Sequence, residues 1–222
     1  MSKIALRAGK FNTDKSQQML DNYDRWFGHL KNRSMSLLEL GIYKGGSLLL
    51  WGDYFKKGTI VGLDIEPIKI DKKPDNIKVY VGSQGDKTLL KKISRKESPG
   101  GFDVIIDDAS HIGHLTSASF FYLFKDHLKP GGIYIIEDWG TGYWPTYPDG
   151  AYYKSDSNRL FRLIYPKRLP SHQNGMVGLV KQIIDELGAD DITAPGLGVS
   201  PVRESTINNI EVARGQIAIF KK

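Results

Sequence analysis

The sequence contains no cysteine among its 222 residues. Disulfides, thiolate metal sites and cysteine nucleophiles are therefore excluded, and any metal must be bound by oxygen or imidazole ligands. No apolar run approaches the length of about 18 residues that a membrane span requires. The N-terminus has a basic start but no apolar signal-peptide core. We therefore expect a soluble, cytoplasmic protein that does not act on membranes.

The chain also lacks a concentrated basic surface, although its formal net charge is +6. Its paired lysines are scattered, at positions 56–57, 72–73, 91–92 and 221–222. Nucleic-acid-binding proteins usually mass such charges on one face. The sequence therefore predicts no nucleic-acid partner, and its length fits one domain over residues 1–222.

Short apolar runs alternate with helical patterns from Ser36 onward, which is typical of parallel strands joined by helical crossovers. The predicted strands are Ser36–Leu40, Ile60–Asp64, Ile77–Val81, Asp103–Asp107 and Gly132–Ile136, followed by a closing antiparallel pair, Ser205–Val212 and Gln216–Phe220. The predicted helices are Asp14–Leu30, Ser47–Phe55, Asp86–Ser94, Leu115–Leu128 and Met176–Leu187. The K-P-G-G segment at 129–132 predicts a turn before the fifth strand.

The residues after the first three strands predict a ligand site, since ligands bind beyond the carboxyl ends of such strands. E-L-G-I-Y-K-G-G, residues 39–46, lets the backbone turn sharply and approach a ligand closely. Tyr43 stands where a dinucleotide fingerprint requires glycine, which argues against NAD. Asp64 ends the second strand and can accept hydrogen bonds from a ribose, and Ser83 to Asp86 form a polar loop after the third. Asp64 and Asp86 are equally compatible with a turn residue and a helix N-cap.

Together, these features from residue 36 to 136, with the K-P-G-G turn, resemble the cofactor site of the Rossmann-like S-adenosylmethionine-dependent methyltransferases. The resemblance implies an α/β fold with a seven-stranded, mostly parallel sheet of order 3-2-1-4-5-7-6 and helices on both faces. It also implies that S-adenosylmethionine is the cofactor. The residues implied to contact it are Glu39, Gly41 and Gly45 at the methionine part, Asp64 at the ribose, and Ser83, Gln84 and Asp86 near the adenine.

Two adjacent strands end in pairs of acids, Asp107-Asp108 and Glu137-Asp138. Four carboxylates at one edge of a sheet either raise one another's pKa or share a cation, and oxygen ligands favour Mg²⁺ or Mn²⁺. His111, three residues after Asp108, can take a proton from an alcohol because its ordinary pKa is near neutral. A lone histidine is also often structural or merely exposed.

Four further motifs make the resemblance specific to a smaller group of methyltransferases. They are D-D-A-S-H, I-I-E-D-W, T-G-Y-W-P and the N-terminal N-T-D-K. Together they resemble the metal-dependent sugar O-methyltransferases of macrolide biosynthesis, of the mycinamicin and macrocin type, and their cephalosporin-hydroxylase-like relatives. This resemblance implies that Asp108, Glu137 and Asp138 bind Mg²⁺ and that His111 is the general base, with Asp108 beside it. We also expect Thr13 to face the cofactor, and Asp107 to face the cofactor or a backbone amide.

The expected function is therefore methyl transfer to a hydroxyl of a small molecule, a sugar or a glycosylated natural product. Tyr143, Trp144 and Tyr147 can line the acceptor site, but they can equally pin a loop to the core. We expect residues 1–35 to form a helical lid and residues 141–175 an acceptor-side loop. The alternatives are a methyltransferase for catechols or other vicinal diols, and a non-catalytic S-adenosylmethionine-binding protein. A homo-oligomer is compatible with the sequence, and the N-P-P-Y and D-P-P-Y tetrads of nucleic-acid methyltransferases are absent.

Overall fold

A seven-stranded mixed sheet organises the protein, and its order is β3-β2-β1-β4-β5-β7-β6. The computed structural model describes residues 3–71, 73–151, 163–164, 169 and 171–222. The strands are β1 Ser36–Leu40, β2 Thr59–Asp64, β3 Ile77–Val81, β4 Phe102–Asp107, β5 Leu128–Glu137, β6 Ile207–Ala213 and β7 Gln216–Lys221. The first five pair in parallel and β7 runs antiparallel to both its neighbours. The predicted strand order and the closing antiparallel pair are confirmed.

Helices cover both faces of this sheet, as predicted. They are α1 Ala5–Ala8, α2 Gln17–Phe27, α3 Gly46–Tyr54, α4 Lys87–Glu97, α5 Gly113–Asp126, α6 Pro148–Ala151, α7 Gly175–Leu187 and α8 Ala189–Ile192, with 3-10 turns at Gly28–Leu30 and Trp139–Tyr143. The residues of α2 and α3 pack with one apolar cluster and those of α4, α5 and α7 with another. No helix in the described ranges is long and apolar enough to cross a membrane.

The second helix begins later than predicted. The sequence pattern placed its start at Asp14, but Ser16 is the N-cap and its Oγ accepts a hydrogen bond from the backbone N of Met19 at 3.3 Å. A serine hydroxyl satisfies one of the free N–H groups of a first helical turn, which fixes the start there. Asp14 and Lys15 are thereby left in an extended entry segment.

The turn predicted at 129–132 lies inside strand β5. Buried Leu128 pairs with Phe102, whereas the next pair joins Ile133 to Val104, so the register shifts between them. The intervening K-P-G-G residues form an irregularity, with Gly131 at a φ of 72°. The prediction that the strand begins at Gly132 was wrong because burial of Leu128 extends the pairing toward the N-terminus.

The register of the central strands brings three chain segments to one edge. Leu40 pairs with Asp107, and Asp107 pairs with Ile136. The residues that follow, Gly41, Asp108 and Glu137, therefore come together at the carboxyl edge of the sheet.

Candidate active site

Two adjoining cavities lie beyond the carboxyl edge of the sheet. The acidic cavity, of about 390 Å³, is lined by carboxylates of Asp14, Asp108, Glu137 and Asp138. The apolar cavity, of about 410 Å³, is lined by residues that include Leu63, Asp64, Ile65, Ile68, Ser83 and Leu115. Gly41, Tyr43, Asp108 and Ala109 line both. The two cavities thus share a wall.

The acidic cavity contains a group that can hold a metal ion. Asp108, His111 and Asp138 each offer a ligand atom, and these atoms lie within 4.8 Å of one another. Nε2 of His111 is 3.7 Å from Oδ1 of Asp108. Burial, together with the charge of Asp108, raises the pKa of Asp138. Carboxylate oxygens with a neighbouring imidazole fit a hard divalent cation.

A buried lysine lies among the acids of this site. Nζ of Lys15 is 2.7 Å from Oε1 of Glu137, 3.0 Å from Oδ2 of Asp108 and 3.7 Å from Oε1 of Glu39. Burial acts to lower the pKa of Lys15, but the three carboxylates outweigh it and hold that pKa well above its ordinary value. Lys15 is therefore a charged ammonium in the interior.

Glu137 is the innermost of the acids. Its side chain is 2% exposed, and its Oε1 accepts hydrogen bonds from both Lys15 and the hydroxyl of Tyr23. The structure thus places Glu137 in an ion pair beside the group formed by Asp108, His111 and Asp138. Its role as a metal ligand stays a prediction.

The backbone is strained at the same cavity. Among the described residues, the non-glycine positions with a positive φ are Tyr43 at 45°, His111 at 51° and Asp138 at 51°. Such conformations cost on the order of 1 kcal/mol or more each and cluster at functional sites. All three residues line the acidic cavity, which supports its assignment as the active site.

The glycines after β1 are required by close approach of the backbone. A Cβ atom on Gly41 would lie 2.1 Å from the carbonyl oxygen of Asp108, and one on Gly46 would lie 2.1 Å from that of Asn12. Gly45 has a φ of 79° and is the N-cap of α3. Gly41 and Gly46 line the acidic cavity, so this loop presents backbone to a ligand.

Asp64 fixes that loop from the neighbouring strand. Its Oδ2 accepts hydrogen bonds from the backbone N atoms of Ile42 at 2.8 Å and Tyr43 at 3.0 Å. Each carboxylate oxygen has two lone pairs, so Asp64 can also accept from hydroxyl groups in the apolar cavity that it lines. Its contact with a ribose stays a prediction.

The residues of the polar loop after β3 lie in different environments. Ser83 and Gln84 line the apolar cavity, but the Gln84 amide is engaged: Nε2 donates to Asp107 at 3.0 Å and Oε1 accepts from Ser110 N at 3.0 Å. Asp86 accepts hydrogen bonds from the backbone N atoms of Thr88 and Leu89 in the first turn of α4 and is its N-cap. Asp86 is not among the residues that line either cavity.

Two other residues predicted to face the cofactor lie beneath the cavities. Asp107 is 2% exposed and accepts hydrogen bonds from Gln84, Ser119 and Tyr134. Glu39 is fully buried and accepts one from Ser47 at 2.8 Å. Burial raises the pKa of Asp107 to about 6 and that of Glu39 to about 7. In this arrangement both support the walls of the site from below.

Aromatic residues border the acidic cavity on the side of the 3-10 turn. The rings of His111 and Tyr147 are 5.9 Å apart, and those of Tyr147 and Trp144 are 5.6 Å apart. Tyr147 lines the cavity, whereas Tyr143 packs edge-on against His172 at 4.6 Å. The predicted loop 141–175 lies partly outside the described residues.

Asp149 holds this segment to two helices. Its Oδ2 accepts hydrogen bonds from the first backbone N of α5, that of Gly113, at 2.7 Å, and from Met176 N at 2.8 Å. Sequence reasoning missed Asp149, Lys15 and Tyr23 as parts of the site. Lys15 belongs to the recognised T-D-K motif, which was the available signal.

Comparison with models of known protein families gives no match. Individual proteins do match. Demethylmacrocin O-methyltransferase of Streptomyces fradiae is 37% identical over 188 residues, covering 79% of this chain and 42% of that protein. Mycinamicin VI 2''-O-methyltransferase of Micromonospora griseorubida is 37% identical over 178 residues, covering 73% and 43%.

A solved structure of the MycE methyltransferase of the mycinamycin pathway, in complex with Mg and SAH, superposes with a TM-score of 0.77. The identity is 30%, over 98% of this chain and 54% of that one. A second MycE structure, which also contains mycinamycin VI, gives a TM-score of 0.76. The chain thus spans about half the length of the relatives that it matches.

Proposed function

We propose that this chain, a homologue of sugar O-methyltransferases from natural-product pathways, transfers a methyl group from S-adenosylmethionine to a hydroxyl of a sugar or glycosylated natural product. One observation carries the proposal. A cavity with a group of side chains that can hold a metal ion, His111 among them, shares its wall with a second cavity that the Asp64 carboxylate lines. A methyl donor in one cavity therefore meets an acceptor in the other.

The cofactor would lie across the shared wall, and the bound sulfonium supplies the methyl group. Asp64 accepts hydrogen bonds from the ribose, and Ser83 and the apolar residues of the cavity contact the base. Gly41 lets the chain approach the methionine part, beside Thr13 of the entry segment. The predicted roles of Gln84, Asp86, Asp107 and Glu39 become supporting ones, since their side chains bond to the protein itself.

Asp108, Glu137 and Asp138 would hold a divalent cation. Such a cation, when bound, lowers the pKa of a coordinated hydroxyl and orients the acceptor. His111 takes the hydroxyl proton at a ring nitrogen, and Asp108, 3.7 Å from its Nε2, stabilises the imidazolium that forms. The left-handed backbone of His111 and Asp138 holds both side chains toward the cavity.

Tyr147 and Trp144 would form the acceptor wall. Flat aromatic faces pack well against sugar rings, and Trp144 is 52% exposed beside the cavity-lining Tyr147. Tyr143 supports the wall through His172. Residues 12–16 also line the acidic cavity, which favours a lid role for the N-terminal segment.

The test is methyl transfer by the purified chain from labelled S-adenosylmethionine, with and without Mg²⁺, to macrolide deoxysugar glycosides and to catechols. Mg²⁺-dependent transfer to a sugar hydroxyl is the expected result. Efficient methylation of catechols without methylation of sugars would show that the acceptor is a catechol and not a sugar. No binding of S-adenosylmethionine under either condition would refute methyl transfer itself.

A further inference from the structure

One ammonium group joins the ends of three neighbouring strands. Nζ of Lys15 lies within 4.0 Å of carboxylates from Glu39 at β1, Asp108 after β4 and Glu137 at β5. The Lys15 side chain is 1% exposed, so water screens these attractions little. The lysine replaces water as the partner of the buried acids.

The ammonium occupies a point on which oxygens of two predicted metal ligands, Asp108 and Glu137, converge. Oδ2 of Asp108 is 3.0 Å from Nζ and Oε1 of Glu137 is 2.7 Å from it. A divalent cation that engaged both carboxylates would lie close to this ammonium, whether it took these oxygens or the second oxygen of each carboxylate. Two cations close to one pair of carboxylates repel each other strongly in a medium of low dielectric constant.

The fold also explains why a tethered cation is useful there. Adjacent buried carboxylates without a counter-charge are costly, because their desolvation is not compensated. Lys15 supplies that charge from the entry segment before α2, which Ser16 caps. The walls of the acidic cavity are therefore held together without a metal.

We propose that Lys15 is a tethered counter-ion that competes with the divalent cation for Asp108 and Glu137 and so weakens metal binding. This inference rests on the proposed function, because it requires a metal at the acidic cavity. Lys15 stabilises the metal-free protein, and its contacts with the carboxylates of Asp108 and Glu137 weaken when the cation binds. It is a positioning residue that makes the bound metal exchangeable.

The test is calorimetric titration of MgCl₂ into the full chain, wild type and Lys15→Met, without cofactor. Methionine keeps an unbranched side chain only one atom shorter and removes its charge. We expect Mg²⁺ to bind the variant about tenfold tighter or more, since a close competing charge is gone. In thermal unfolding without Mg²⁺, the variant should melt below the wild type, and Mg²⁺ should raise its melting temperature more.

Lys44→Met is the matched control. Lys44 lines the same cavity but is exposed and lies over the ring of Tyr43, 5.0 Å from its centroid. The substitution removes the same charge without releasing a carboxylate, so Mg²⁺ affinity should change by no more than about twofold after screening. An equal gain in both variants would refute direct competition.

The outcomes separate this inference from the proposed function. If Mg²⁺ binds the wild type and folded Lys15→Met equally, or binds the variant more weakly, the competition is refuted and the metal site stands. If Mg²⁺ binds neither protein, the metal part of the proposed function falls as well. If Lys15→Met does not fold without Mg²⁺, Lys15→Gln, which keeps a hydrogen-bond donor, should show the same tighter binding.

Discussion

Nε2 of His111 lies 3.7 Å from Oδ1 of Asp108, across a turn in which His111 has a left-handed backbone. The two residues are three positions apart in the chain, and the strained backbone aims both side chains into one cavity. At 3.7 Å the two groups are close enough for an ion pair when the imidazole is protonated, but too far apart for a hydrogen bond. Under the proposed function, His111 is the general base and Asp108 is the acid beside it.

Replacement of His111 by alanine should abolish turnover without loss of the cofactor. We expect kcat to fall by about 10² to 10⁴, the usual contribution of a general base. The affinity for S-adenosylhomocysteine should stay within about twofold, because His111 lies outside the lining of the apolar cavity. Calorimetry and single-turnover rates measure the two quantities.

His114→Ala is the control for that variant, since His114 is exposed one turn further along. Its kcat should match that of the wild type. Full activity in His111→Ala would remove this residue from the mechanism.

Asp138→Asn should weaken Mg²⁺ binding. Loss of an outer-shell partner typically costs metal affinity by about 10-fold to 100-fold, so loss of a direct ligand charge should cost at least as much, and Mg²⁺ titration by calorimetry measures it. Asp14→Asn removes a cavity carboxylate outside the group of Asp108, His111 and Asp138, so its effect should be much smaller. Normal Mg²⁺ stimulation of the Asp138 variant would place the metal elsewhere.

Asp64→Ala should lower the affinity for S-adenosylhomocysteine by about tenfold or more, because the loop at Ile42 and Tyr43 loses its acceptor and the ribose loses a partner. Mg²⁺ affinity should be nearly unchanged. Asp86→Ala is the matched control: loss of the N-cap of α4 costs about 1 kcal/mol of unfolding free energy, with cofactor affinity retained. Equal cofactor affinity in the wild type and the Asp64 variant would contradict the assigned role.

The framework of the fold was predictable because burial on both faces gives a parallel strand a continuous apolar sequence. Ser36–Leu40 and Ile77–Val81 match the predicted bounds. The residues 129–132 were not predictable as part of a strand, since Pro and Gly indicate a turn and only the burial of Leu128 overrides that local signal.

The acidic residues of the candidate site were predictable from the sequence, but its buried lysine was not. Strand ends share an edge, so Asp108 and Asp138 were expected together, and their ligand atoms do lie close together. The ion pair between Lys15 and Glu137 joins residues 122 positions apart. A lysine before a helix ordinarily points to solvent, and the T-D-K motif associates Lys15 with the site without indicating its burial.

The unfolding free energy should depend on pH through Glu39. Its pKa is about 7 in the folded protein, raised from 4.5 by burial. Between these values the folded state binds more protons than the unfolded state, so stability falls as the pH rises through this window. The full effect is on the order of 3 kcal/mol.

Glu39→Gln removes this titration while keeping an acceptor for Ser47. The measurement is urea unfolding from below pH 4.5 to above pH 7, without metal or cofactor. The unfolding free energy should decline less with rising pH in the variant than in the wild type. Parallel curves for the two proteins would show that Glu39 does not titrate in this range.

Asp149→Ala should destabilise the protein by about 2 kcal/mol, because two backbone N–H groups lose a charged acceptor. The loss is measured by urea unfolding. The KM for the acceptor should rise as well, since Asp149 anchors the segment that carries Tyr147. Asp185→Ala is the control, because Asp185 lies on helix α7 and far from Gly113 in sequence. The unfolding free energy of this variant should stay within about 0.5 kcal/mol of that of the wild type. Unchanged stability and KM in the Asp149 variant would show that the hydrogen bonds from Gly113 and Met176 to Asp149 are dispensable.

The wall that the two cavities share has a consequence for any measured affinity. Gly41, Tyr43, Asp108 and Ala109 line both cavities, so where one of them moves in response to a molecule on one side, the surface offered on the other side changes as well. Occupancy of the two sides is then thermodynamically linked, and the linkage is reciprocal: the factor by which the metal changes cofactor affinity equals that by which the cofactor changes metal affinity. A dissociation constant for either describes this protein only when the concentration of the other is stated.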